Sequence, residues 1–492
     1  MATPTYEVGV EFVAGSYTNL SSYCLRVGVT RDRATIFDSL SPGRCDLLLD
    51  NNAGLFSPEN AASPYAPNLK PNKRVRILAI HNVTTYQLFA GFVDAWAPDP
   101  ELARRTARMQ ATDRVKDLAR RRIDTSIAVD IAPSSLATDV LSAAGVAAAD
   151  RSVDVLPPWD LIPFAWFREY EPVRALEDIA RFGYSHLWVD GAGRVNLRTR
   201  YLDLGSSAVA SYVNDFFGFG YTLSDDQVVN AIKVQGTPRR IASSVQTVAW
   251  LQEVPTISAS SSVGFWLTYL DPDSLERDTP AQSVSVTRSA DYILSTISGY
   301  LVPTDPFFGL FSFDRTATAS ASVTFFGTTA VATVFNGSSD QTYLNKFQVR
   351  GYSIQRQPDI LRQSATASSQ TLYGVRNLSL QSDFIGKFQH AQDYADFLVL
   401  QRKDPVPDVT FALKNVFPDV LARELGDLVY LVESNTAVGT GFVVTGLAHD
   451  IALVRGLEHT TTYAAHLQET GPWLVLDHAT LGKLDSGREL AF

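Results

Sequence analysis

Only two cysteines, Cys24 and Cys45, occur in 492 residues. That excludes a disulfide-stapled secreted scaffold and fits synthesis in a reducing cytosol, with a bridge between two neighbouring strands as the alternative. No run of about 18 apolar residues is present, which excludes a membrane-spanning helix. The opening MATPTYEVGVEF has no basic region ahead of an apolar one, so no Sec-type signal is expected. Positive charge is also in deficit: the formal net charge is −10 and the pI about 5.3. Such a balance argues against general binding to DNA or anionic membranes, which needs clustered cations. The one basic cluster, Arg114 to Arg122 (RVKDLARRR), reads as a solvated helix face paired to nearby acids.

Catalytic signatures are missing as well. There is no nucleophile elbow, no H-E-x-x-H helix and no cysteine with an evident histidine partner. Gly426-Asp427 and Gly439-Thr440-Gly441 read as turn glycines, because neither G-K-[ST] nor a strand-to-helix switch follows them. His449, His459 and His466 lie near Asp450, but intervals of 10 and 7 positions lack the tight pair of a zinc site. They read as strand-end or interface histidines. Asp271, Asp273, Glu276 and Asp278 form an acidic loop without the glycine and spacing of an EF-hand. The sequence therefore predicts no catalytic residue, no cofactor and no metal, and not an enzyme.

What is present is an ordinary globular composition, 45% hydrophobic and 19% charged, in a chain long enough for three or four domains. Residues 1–113 read as one antiparallel β unit of about six strands, since Tyr6, Val8, Val10 and Phe12 alternate with polar or small residues. Tyr23, Leu25, Val27 and Val29 do the same, with Cys24 on the opposite face. Residues 114–205 read as a small α+β domain. Its first helix starts at Ser134 and stops at Gly145; its second starts at Pro172 and stops at Gly183. A hairpin with the turn Asp190 to Gly193 comes next. Residues 237–376 are rich in Ser, Thr and Ala and read as an inserted β-rich domain with a short helix at Ala290 to Ile297. Residues 206–236 and 377–470 form a second β unit, containing a helix at His390 to Arg402 with Tyr394, Phe397, Leu398 and Leu400 on its apolar side. Residues 471–492 read as a C-terminal arm.

The two β units echo each other. Val75-Arg76-Ile77-Leu78, a polar turn and Gly91 match Val429-Tyr430-Leu431-Val432, a polar turn and Gly446, over 16 and 17 positions. The first unit also holds the most distinctive stretch, Cys45 to Trp96. After Cys45, Leu47 and Leu49 the chain turns at Asn51, Asn52 and Gly54, and Pro58, Pro64, Pro67 and Pro71 stiffen the loop beyond that turn.

That stretch, D-N-x-x-G-x-F-S-P-x-N-x-x-S-P-Y-x-P-x-L-K-P-x-x-x-V-R-I, resembles the N-terminal domain of tail-tip hub proteins of long-tailed bacteriophages. These are often labelled minor tail proteins and are relatives of the baseplate hub of contractile-tailed phages. The resemblance implies a mainly β, α+β overall, multidomain fold with two related antiparallel tube-like β-barrels. It implies a virion structural protein of the tail tip, made in the host bacterial cytoplasm. Its expected partners are two further copies in a homotrimer, a distal tail or tail tube protein, the tape measure protein, and tip or fibre proteins. A trimer with two barrels per subunit would form a pseudo-sixfold ring through which phage DNA passes without specific binding, with host envelope contact during infection. Some relatives carry a C-terminal peptidase or lysozyme-like module, for which no room is expected here. Two rival functions remain: receptor or carbohydrate binding through Trp159, Trp166 and Trp266, and cell-wall hydrolysis.

Overall fold

The computed structural model describes residues 3–33, 39–101, 105–154, 161–199, 207–270, 281–293, 312–314, 316–454, 456–468, 473–474 and 489–490. The fold is β-rich and built of several sheets. Seven strands come first: β1 (Thr5–Val13), β2 (Ser16–Asn19), β3 (Cys24–Asp32), β4 (Arg44–Asp50), β5 (Arg74–His81), β6 (Thr84–Asp99) and β7 (Thr106–Thr112). Alternation places Val8, Val10, Leu47, Leu49, Val75, Ile77, Ala107 and Met109 in the core. In β3 the alternation breaks. A bulge at Leu25 shifts the register against β4, so Cys24 enters the core with Val27 and Val29 and Leu25 does not. Cys24 and Cys45 are both buried and free.

The proline-studded loop is held by its own side chains. Asn51 Oδ1 accepts from the Phe56 N–H at 2.8 Å, Asn60 Nδ2 donates to Gly54 O at 2.9 Å, and Ser63 Oγ donates to Leu55 O at 2.6 Å. Phe56 stacks on Tyr65 and Trp96 beneath this frame, which explains why the stretch fixes Asn, Ser and aromatic positions together.

The next unit holds α1 (Arg114–Arg120), β8 (Ala128–Ile131), α2 (Pro133–Ala143), β9 (Arg151–Val153), β10 (Ile162–Ala165), α3 (Pro172–Phe182), β11 (Ser185–Val189) and β12 (Val195–Thr199). Both predicted helices are present, each with proline in its first turn. Gly183 ends α3 with ordinary φ, and Tyr184 takes the left-handed conformation instead. The basic cluster is paired as expected: Arg114 to Asp150, Lys116 to Asp94 and Arg121 to Asp117.

Then come β13 (Ala210–Val213), β14 (Gly218–Thr222) and β15 (Ala231–Gly236). The insert contains β16 (Arg239–Ile241), β17 (Gln246–Trp250), β18 (Thr256–Ile257), β19 (Ser262–Thr268), β20 (Ala281–Ile293), β21 (Ser312–Asp314), β22 (Ala319–Phe325), β23 (Thr329–Asn336) and β24 (Thr342–Arg356). Residues 290–293 are strand, not the short helix expected there. The chain continues with β25 (Ile360–Ala365), α4 (Ala367–Tyr373), β26 (Asn377–Ser382), α5 (Phe388–Arg402), β27 (Asp408–Lys414), α6 (Asp419–Ala422), β28 (Leu428–Glu433), β29 (Val438–Ala452) and β30 (Glu458–Leu467). Gly439-Thr440-Gly441 therefore lies in a strand, and the turn before it is confined to residues 434–437.

Three cores organise these elements. One serves both ends of the chain, from Tyr6 and Leu47 to Phe411 and Tyr463, because 13 strands join in one sheet ordered β14-β27-β30-β29-β3-β4-β7-β6-β5-β1-β2, with β28 on β29 and β13 on β28. Among the described residues the ladders of both β units join in one continuous sheet. The second core gathers α2 and α3 with Ile232, Val234, Ile360, Tyr394 and Phe397. Here the packing departs from the expected boundaries: β15, β26 and α5, expected in the second β unit, and β25, expected in the insert, all pack with the α+β unit. They do so because β15 pairs with β25 and β26 while α5 covers them. Leu400, expected on the apolar side of α5, is 39% exposed. The third core is the insert's own, around Val248, Tyr269, Phe347 and Val349, which confines it to 239–356. Most of the expected C-terminal arm, the acidic loop at 271–278 and Trp159 lie outside the described residues.

Candidate functional site

The 13-stranded sheet contains one five-strand pattern twice. In the first half the neighbours run β5-β6-β7-β4-β3; in the second they run β28-β29-β30-β27-β14, and each half adds one further strand in a different sense, β1 antiparallel to β5 and β13 parallel to β28. Around the bulge of the long strands the registers superpose residue by residue, whereas a second bulge at Leu88 between β5 and β6 has no counterpart between β28 and β29. Phe92 stands opposite Arg74 and Thr112, as Val443 stands opposite Leu428 and His466. Both long strands then bulge at the next step, at Asp94 in β6 and at Thr445 in β29. Just before the bulge Val93 exchanges hydrogen bonds with Lys73 and Asn72, and Val444 with Asp427 and Gly426; Asn72 and Gly426 share positive φ. Gly28 in β3 and Gly220 in β14 occupy equivalent places, as do Thr30 and Thr222, and each half has one cis proline, Pro67 and Pro418, after its equivalent strand. The echo between Val75 and Val429 is thus a true correspondence. Its glycines are not: Gly91 faces Val75 but Phe442 faces Val429, and Gly446 matches Ala95.

The two halves meet where β3 pairs with the second part of β29, Gly446 opposite Asp32 through Ala452 opposite Arg26. Polar groups reinforce this seam. Arg26 forks onto Asp450 at 2.7 and 2.6 Å on the wet face. Arg31, 2% exposed, reaches Glu424 at 2.6 Å, and the same carboxylate accepts from Gly191 at the hairpin turn. Beneath lies a buried chain: Tyr6 Oη is 2.7 Å from His459 Nδ1, His459 Nε2 is 3.0 Å from His449 Nδ1, and Thr461 Oγ1 is 2.9 Å from His449. Burial drives His459 down to about 3 and holds His449 well below the usual imidazole range, so both are neutral. Of the histidines singled out in the sequence, folding brings these two together. His466 is elsewhere, against Asp408, and Asp450 is engaged by Arg26. Among the described residues no group of three or more His, Cys, Asp or Glu could hold a metal ion.

Among the described residues several strand edges of this sheet are unpaired, β2 and β13 among them, and two others correspond to the two sides of the seam. β14 is paired on one side only, by β27, and the segment of β6 after its bulge is paired on one side only, by β7. Sequence reasoning missed both edges, although two glycines flanked by Phe217, Phe219, Tyr221 and Leu223 mark β14 as a flat, apolar strand.

A separate cleft of about 330 Å³ lies at the base of the insert, lined by Asp124, Trp166, Arg168, Trp266, Phe326 and Thr328. Trp266 is 75% exposed and parallel to Phe326, ring centroids 6.4 Å apart. Gly327 lies directly against the Trp166 indole, where a Cβ would come within 2.5 Å of the ring.

No family model matches the chain, and no curated protein does. Solved structures do resemble it. The 43 kDa tail protein of prophage MuSo2 from Shewanella oneidensis is 10% identical, with 94% of this chain and 97% of that one covered at a TM-score of 0.49. A tail protein from Neisseria meningitidis MC58 is 9% identical, over 94% and 96%, at 0.49. Prophage tail protein gp18 from Listeria monocytogenes EGD-e is 7% identical, over 95% and 96%, at 0.43. Scores at this level carry no functional argument. These three solved structures are of tail proteins, two of them from prophages.

Proposed function

We propose that this chain is a structural subunit of a bacteriophage tail tip, and that three copies close into a ring of six similar units. The observation that carries the reading is the duplicated strand pattern joined through β3 and β29. A chain with two equivalent units and one internal seam offers sixfold-like contacts to a tail tube or distal tail protein on one face. It offers threefold contacts to tip or fibre proteins on the other. The decisive measurement is mass in solution, by native mass spectrometry or sedimentation. Three times the 53.9 kDa of one chain is expected; a monomer at every concentration overturns the ring.

In this reading the wet face of the shared sheet, which carries Asp46, Asp450 and Glu458, lines the bore. The same face carries Arg26, Arg44, Arg108 and Lys414, with Asp450 paired to Arg26 and Glu458 to Lys414. The bore therefore rests on a small excess of acids over cations within a chain of net charge −10, enough to keep phage DNA from adhering in transit. Replacing Asp46→Lys together with Glu458→Lys is expected to slow genome release several-fold without lowering particle yield. Release at the parental rate would remove the acidic bore from the account.

The aromatic cleft favours a second reading, saccharide binding at the host envelope. Trp266 and Phe326 offer a flat apolar platform, and Asp124 and Arg168 offer groups for hydroxyls. Glycan-array binding by the full chain that Trp266→Ala abolishes would establish it; no binding to any glycan would dismiss it.

A further inference from the structure

The internal seam specifies how one copy meets the next. In β29, the part after the bulge is taken by β3. Among the described residues its counterpart in β6, Ala95 to Asp99, has no strand on that side, and β14, the counterpart of β3, has none on its outer side. One chain therefore carries both halves of a second seam, at opposite ends of the strand path β14-β27-β30-β29-β3-β4-β7-β6. We propose that β14 of one copy pairs antiparallel with Ala95 to Asp99 of the next copy, in the register of the β3–β29 seam. This rests on the ring reading and names its contact.

The register comes from the correspondence. Ala448 faces Thr30, so Ala97 faces Thr222; Asp450 faces Gly28, so Asp99 faces Gly220; Leu447 faces Arg31, so Trp96 faces Leu223. Burial supports it. Val29 and Leu447, which lie in the formed seam, are 1% and 3% exposed, whereas Tyr221, the counterpart of Val29, is 42% exposed and Leu223 beside it 56%. Apolar side chains on an open, glycine-flattened edge are a template for another strand.

Pro98 explains why the edge chooses β14. It occupies the place of His449, whose backbone faces β3, because Leu453 four residues on donates to Leu25 O. Proline has no N–H, so the pairing with β14 forgoes one hydrogen bond, to Tyr221 O, whereas two β6 edges placed together forgo one on each strand. The contact joins unlike edges, and unlike edges generate a closed ring when the rotation per copy closes.

The test is a cysteine pair, Ala97→Cys with Thr222→Cys, in the full chain. Both positions are exposed, and the native Cys24 and Cys45 are buried and do not compete. Facing positions of an antiparallel pair lie within disulfide reach, about 4.5–5.5 Å between Cα atoms. Mild oxidation is expected to convert most of the double variant into a covalent three-chain species on a non-reducing gel. A mixture of the two single variants is expected to stop at two chains, and Ala97→Cys with Gly220→Cys, out of register, to link at least tenfold less. A threefold mass in solution without the Ala97–Thr222 link, or with equal linking out of register, overturns this pairing and leaves the ring standing. A chain that stays monomeric overturns both.

Discussion

A His459→Gln variant is expected to be less stable than the parent near pH 7, and to become the more stable of the two as the pH falls below 6.5. His459 has no exposed surface, and burial holds its imidazole at about 3 against 6.5 when the chain is unfolded. Between those values the unfolded chain binds the extra proton and the folded chain does not, so the parent's stability is complete above about 6.5 and drains away on acidification. For one group this is on the order of 5 kcal/mol across the window. Glutamine cannot titrate, while near neutral pH it forfeits the Tyr6 contact, at a cost of about 1 kcal/mol. Comparing variant with parent is essential, because Asp113 works in the opposite direction. Burial lifts its carboxyl to about 7, so its contribution is complete below 3.8 and is lost as the pH rises through 7. That term is common to both proteins and cancels in the difference. Urea unfolding of both at pH 7, 5.5 and 4.5 would show the gap closing and then reversing; a gap independent of pH would contradict the assignment of a neutral, buried His459.

The second large effect is expected for Phe56→Ala. Phe56 is completely buried, edge-on to Tyr23 at 5.4 Å, and stacked on Tyr65 at 5.6 Å and Trp96 at 6.1 Å. Truncating it leaves a cavity under a loop whose prolines and cross-linking side chains limit collapse, so the cost falls at about 3–5 kcal/mol. The loop also abuts Trp96 on the open β6 edge, so loss of assembly should accompany loss of stability. Phe326→Ala, at an exposed ring, should change stability by only about 0.5 kcal/mol. Thermal melting of the three proteins checks this, and a shift for Phe56→Ala no larger than for Phe326→Ala would show that the loop does not depend on its ring.

Which parts are readable in the sequence depends on the range of the interactions. The strand at Asp408 to Lys414, the helix at Pro172 to Phe182 and the hairpin around Asp190 announce themselves because their patterns are local: alternation, a first-turn proline, an Asp-Gly turn. The bulge at Leu25 reverses a face that alternation alone assigns wrongly, since one inserted residue changes parity without any mark in the composition. The allegiance of β15 and α5 is not readable either. Their apolar residues suit either core, and only pairing with β25 and β26 decides between them.

By itself the sequence determined that this is a β-rich, acidic, multidomain chain with a proline-framed loop and a repeated hairpin, because periodicity, turn residues and charge are written along the chain. Tertiary structure alone decided that the repeat comprises five strands in the same order, that its halves share one core and one seam, and that two complementary edges stay unpaired among the described residues. Those facts depend on which strand lies beside which across more than 400 residues, and hydrogen-bond partners at that separation leave no local trace.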